Sequence, residues 1–184
     1  FEPQYLRLSA VLENWKKGPV AVWHPELGRT CYFQNMSFDR GDVHFIVADW
    51  ASRTGDPAAL HDVPGGTWSW FADDLAGCRK PRKENIVILS HHPMWNYGAL
   101  SRYGFAASDL HVLRALTRRY AGHIDANLGG HLHVNLSIDA RKTAGHRVLV
   151  TDATFDDVNC LRLVYVFAQR DRIRYLHRVC RVEG

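Results

Sequence analysis

The sequence predicts a layered α/β domain built on a mixed sheet, and three observations predict it. Short apolar runs, "DVHFIVAD" (42–49), "NIVILS" (85–90) and "IDANL" (124–128), alternate with two amphipathic stretches near 67–80 and 108–120. Three further predicted strands, 147–151, 161–168 and 172–178, then follow with no helix between them. Strand and helix in alternation give a layered sheet, and strands in succession give an antiparallel end. The composition agrees: 184 residues, 46% apolar and 23% charged, suit one domain with a core to bury.

The elements follow in order. From Gln4 to Lys17, residues Tyr5, Leu8, Leu12 and Trp15 fall at helical spacing with Gly18 as a stop, which predicts a helix. Pro19 to Thr30 reads as loop or a short hairpin. Asp42 to Asp49 is apolar and β-branched, a buried strand. Ala51 to Gly66 is rich in Gly, Pro and Asp and predicts a long surface loop. Thr67 is placed to cap a helix carrying Trp68, Phe71 and Leu75 on one face and ending near Lys80. Asn85 to Ser90 is a continuous apolar run, the pattern of a central strand covered on both faces. Ser108 caps a second helix with Leu110, Leu113, Leu116 and Tyr120, stopped by Gly122. Ile124 to Leu128, Arg147 to Thr151, Leu161 to Ala168 and Arg172 to Arg178 are strands, the last two joined as a hairpin through "QRDR".

Charge and cysteine content bound the function. The net charge is +4, with basic clusters at 79–83, at Arg118-Arg119 and between Arg170 and Arg181. A basic chain attracts anions, so phosphorylated substrates and nucleic acid both qualify. No RNP motif or basic-aromatic strand pattern marks a nucleic-acid reader. The four cysteines, Cys31, Cys78, Cys160 and Cys180, form no C-x-x-C, which argues against a structural zinc finger and leaves disulfide pairing open. No apolar run approaches the ~20 residues of a membrane-spanning helix.

Among the 11 histidines, two groups stand just past predicted core strands. "NIVILS" runs into His91-His92-Pro93, and "IDANL" runs into Gly129-Gly130-His131-Leu132-His133. Ligands of layered α/β sheets bind beyond the carboxyl ends of strands, so both groups are expected at one rim. In extended backbone, residues i and i+2 face the same side, so His131 and His133 are expected to face one pocket. Such a pair could serve two metals ~3.5–4 Å apart. The two glycines allow close backbone approach and unusual dihedrals, and Pro93 stiffens the turn after the first pair. The alternative is polar side chains at strand ends. His111, in the second helix, reads as a solvated histidine, and His24, His61, His123, His146 and His177 as surface or turn residues. Trp95, Asn96 and Tyr97 follow the His-Pro turn and are placed to wall a substrate pocket.

"VILSHHPMW" followed by "GGHLH" resembles the calcineurin-like metallophosphoesterase superfamily, which includes purple acid phosphatases and cyclic-nucleotide phosphodiesterases. "MSFDRGDVHFIVADW", "GGTWSWFADDLAGC" and "RVLVTDATFDDVNCLRLVYV" resemble further segments of that superfamily in the same order, covering roughly Ser37 to Gly184. The resemblance implies a four-layer αββα fold, of which this chain would be the C-terminal portion. It implies hydrolysis of phosphate mono- or diesters at a binuclear centre of Mn, Fe or Zn. His91 and His131 would serve one metal and His133 the other, with His92, Asn96 and Gly130 as outer-sphere or substrate contacts. The implied substrate is a phosphorylated small molecule or a nucleotide.

One departure accompanies the match. The family's early motifs, Asp-x-His, Gly-Asp-x-x-Asp and Gly-Asn-His-Asp/Glu, are missing from this sequence. "GDVH" (41–44) holds Asp-x-His by letters only, inside the first core strand, so Asp42 and His44 are read as structural. The missing half of the domain is then expected from the same parent chain or another one. Two rival readings follow: a catalytically silent binding or scaffold module with the same fold, and a basic nucleic-acid-binding domain.

Overall fold

The structure, a computed structural model, describes residues 13–19, 21–78, 85–153, 160–169 and 172–181. Eleven strands, two α-helices and three short 3₁₀ turns are found in this part of the chain. The centre is a seven-stranded mixed sheet. Its middle holds β5 (Val43–Ala48), β6 (Asn85–Ser90), β7 (Ile124–Gly129) and β9 (Arg147–Val150), all parallel. On one side β4 (Met36–Arg40) and then β1 (Glu13–Lys17) add antiparallel; on the other, β8 (Leu136–Ile138) pairs antiparallel with β9. Two hairpins stand as separate two-stranded sheets, β2 (Ala21–His24) with β3 (Arg29–Tyr32) and β10 (Cys160–Gln169) with β11 (Arg172–Arg181). The chain is thus α/β with antiparallel closing strands.

Helix α1 (Thr67–Gly77) links β5 to β6, and α2 (Ala107–Arg118) links β6 to β7. Both pack into one core cluster: Phe71 and Leu75 of α1 and Leu113 of α2 join Ile46, Ile86, Ile88 and Ile124 of the sheet. Val87 is also buried, at 1% exposure, so β6 is a covered apolar strand as its continuous run predicts, and Leu149 of β9 is buried as well, at 0%.

Four expectations are corrected. Residues 13–17 form strand β1, not the end of a helix; the earlier part of that predicted helix lies outside the described residues. Trp15 stacks on Phe38 at 6.1 Å, and the backbone pairs with the open edge of β4, so sheet addition overrides local helical spacing. Thr67 is the first residue of α1 and not its cap. Gly66 occupies the cap position, where a Cβ would fall 2.2 Å from the His61 carbonyl oxygen, and the Thr67 hydroxyl donates to the Asp49 carbonyl at 2.8 Å. Ala106, not Ser108, precedes α2. The 51–66 loop is only partly a surface loop: Ala58, Leu60 and Val63 are buried in it.

The charged interior lies under β4 and β5. His44 is buried between two carboxylates, with Nδ1 2.6 Å from Asp39 and Nε2 3.0 Å from Asp74. Asp42 is exposed in the β4–β5 turn. His44, buried and paired, matches its structural reading, whereas Asp42 lies in the turn and not inside a strand as expected. Cys31, Cys78 and Cys180 carry free thiols, and among the described residues no helix is long and apolar enough to cross a membrane.

Candidate active site at the sheet rim

The carboxyl ends of β6 and β7 bring the two histidine groups together. Asn127 on β7, fully buried, fastens the turn after β6. Its carbonyl oxygen accepts the Met94 N–H at 2.7 Å, and its amide donates to Ser90 Oγ at 2.9 Å and to the Ile88 carbonyl at 3.3 Å. Ser90 Oγ in turn donates to the His92 carbonyl at 2.7 Å. Across the same gap the Gly130 N–H donates to the His91 carbonyl at 2.9 Å. A backbone-locked turn therefore aims the imidazoles, which is what a preorganised site needs.

The two glycines act differently. A Cβ on Gly129 would lie 3.1–3.2 Å from the Pro93 ring and backbone, so that glycine admits the turn; on Gly130 the nearest atom would be 3.8 Å away. Neither glycine has positive φ. His131 and His133 do, at 65° and 49°. The extended geometry expected for "HLH" is thus replaced by a bend with two left-handed histidines, a conformation His tolerates better than most residues. Such backbone concentrates at functional sites. The expected outcome survives by this other route: His131 and His133 line one cavity of about 400 Å³.

Within the cluster, His91 Nε2 lies 3.0 Å from His131 Nδ1. The ring of His131 is 4.8 Å from that of His91 and 4.1 Å from that of His92. Burial, and then the neighbouring imidazoles, hold His91 and His131 below the ordinary histidine value. Burial above all pushes His92 down to about 4. These rings are neutral at pH 7, the form that binds a metal. His92 is buried and donates Nε2–H to the Asp56 carbonyl at 2.8 Å; its Nδ1 and the Nε2 of His131 have no hydrogen-bond partner among the described residues.

Two residues escaped the sequence reading. Asp56, from the long loop, and Tyr103, from the 3₁₀ turn Gly98–Tyr103, line the same cavity as His131 and His133. Their sequence positions carry no motif; the loop packing delivers them. Asn96 braces the segment after the His-Pro turn: its side-chain amide donates to the Phe105 carbonyl at 2.8 Å and its side-chain oxygen accepts the Phe105 N–H at 3.1 Å. Three other expectations are corrected. His24, His61 and His146 are buried, at 5%, 4% and 2% exposure, and not surface residues.

The fit to a metal is partial. Two facing imidazole nitrogens 3.0 Å apart suit one first-row ion with bonds of about 2.0–2.1 Å. Among the described residues, however, no group of three or more His, Cys, Asp or Glu side chains is arranged to hold an ion. The rim offers imidazoles for part of a ligand set, with Asp56 the carboxylate among the described residues on the same cavity.

No protein-family model matches the chain, and no curated protein matches it. Among solved structures it is similar to the purple acid phosphatase PPD1 isolated from yellow lupin (Lupinus luteus) seeds. That similarity has a TM-score of 0.42 and 16% identity, over 65% of this chain and 22% of that one.

Proposed function

We propose that this chain contributes the histidine half of a metal centre that hydrolyses phosphate esters. The observation that carries the proposal is the contact of His91 with His131, from separate strand ends, with His133 on the same cavity. The ordered resemblance of the surrounding segments to metallophosphoesterases supports it.

In this reading His91 and His131 hold one ion and His133 a second, with Mn, Fe or Zn suited to imidazole and carboxylate donors. Divalent ions held there would supply a hydroxide nucleophile near neutral pH and would neutralise charge on the phosphoryl oxygens. His92 orients its neighbours, fixed by its bond to the Asp56 carbonyl. Tyr103 and Asp56 shape the cavity in which a phosphorylated small molecule or nucleotide would lie. The remaining carboxylate ligands come from the other half of the domain, in the same parent chain or a second one.

The test is calorimetric titration of the chain with Zn²⁺ or Mn²⁺, alone and joined to the segment that carries Asp-x-His and Gly-Asp-x-x-Asp. The expected result is one weak ion alone, two ions and turnover of p-nitrophenyl phosphate when joined. His131→Ala should cost at least the ~10–100-fold in affinity that outer-sphere partners cost. Metal uptake that ignores His91 and His131 would overturn the assignment. Two bound ions without turnover would favour the silent-module reading.

A further inference from the structure

We infer that a basic groove along α2, whose lining shares no residue with the histidine cavity, is a binding site for a phosphate group. The groove has a volume of about 440 Å³ and is lined by Asn96, Leu110, His111, Arg114 and Arg118, together with two alanines of the same helix. His111, Arg114 and Arg118 fall three and four positions apart, so the helix stacks them on one face. Among the described residues no carboxylate lines it. The helix's own acid, Asp109, is turned to a different cavity with Ser108 and Val112, where it accepts the Leu60 N–H at 3.4 Å.

Arg114 is what makes this more than a solvated face. Its guanidinium stacks over Trp95 at 4.6 Å, and its Nε is buried with no hydrogen-bond partner among the described residues. A stacked guanidinium is held in one orientation before any ligand arrives, which lowers the ordering cost of binding. A planar fork of donors matches an oxyanion bidentately. Arg118, one turn further on, supplies a second permanent charge. Two guanidiniums and an imidazole offer more donors than the two oxygens of a carboxylate accept, whereas a phosphoryl group presents three oxygens and nearly two charges. The site is independent of the metal-centre proposal.

The experiment is isothermal titration of the chain with inorganic phosphate and with pyrophosphate, at low salt and with EDTA present so that no metal contributes. Wild type should bind at one site, more weakly as salt rises. Arg118→Ala should weaken binding about tenfold and His111→Ala with Arg118→Ala further, while Arg114→Lys, which keeps charge and loses the fork, should fall between wild type and Arg118→Ala. His91→Ala with His131→Ala should leave binding unchanged. No uptake of either probe at millimolar concentration would overturn the inference. So would equal binding by the Arg118 variants, loss of binding in the double histidine variant, or tighter binding of succinate than of phosphate.

Discussion

His91 and His131, forty positions apart, meet nitrogen to nitrogen at 3.0 Å. The contact depends on a third residue buried beneath it, since Asn127 on β7 holds the turn that carries His91. Removing Asn127 and removing His131 should therefore have separable effects. Asn127→Ala leaves the Met94 N–H without its acceptor and should lower stability by about 1–3 kcal/mol while also weakening metal uptake. His131→Ala should weaken metal uptake with stability nearly unchanged, because that side chain is not in the core. Denaturant unfolding and metal titration on the same two variants check this.

The paired glycines should respond unequally to alanine. Gly129→Ala drives a Cβ into the Pro93 backbone at 3.1 Å and should cost about 1–3 kcal/mol. Gly130→Ala meets nothing closer than 3.8 Å and should stay within about 0.5 kcal/mol of wild type. Equal effects in thermal melts would contradict the packing described.

His44 predicts an alkaline loss of stability. Burial alone would lower its pKa, but hydrogen bonding to Asp74, with Cys78 close by, outweighs this and raises it to about 9. The folded value exceeds the unfolded 6.5, so the contribution is fully present below pH 6.5 and is lost as pH rises through about 9. The shift corresponds to about 3 kcal/mol. His44→Leu leaves Asp39 and Asp74 buried without their shared partner and should cost about 3–5 kcal/mol at pH 7. Unfolding free energies measured from pH 6 to 10 test both statements.

His146 predicts the opposite slope on the acid side. It is buried, neither ring nitrogen has a hydrogen-bond partner among the described residues, and burial pushes its pKa down to about 4. The unfolded chain then binds the proton more readily, so stability is present above pH 6.5 and falls as pH drops toward 4, by up to about 3 kcal/mol. His146→Phe should flatten that part of the pH profile. A profile with the same slope in wild type and variant would exclude His146 as its source.

How much of this was legible depends on which residues are asked. The covered strands β5, β6 and β7 stand out as apolar runs, and the histidines after β6 and β7 are visible as an interruption of them. Strand direction and the rule that ligands gather beyond strand ends then place His91 and His131 at one rim. The β1 segment misled because Trp15 sits at helical spacing while its partner, Phe38, is remote in sequence. His44 could be read as structural, but not as the centre of a buried charge pair, because Asp74 approaches from α1.

The sequence by itself determined the alternation of elements, the covered strands, and the chemical type of the rim residues, because periodicity and side-chain identity are local properties. Only the tertiary structure decided the left-handed turns at His131 and His133, the bracing role of Asn127 and Asn96, the arrival of Asp56 and Tyr103, and the burial of His24, His61 and His146. Each of those depends on closing a loop and packing it against residues far along the chain. That balance of chain entropy against burial is struck by the whole fold and has no signature in a short window of residues.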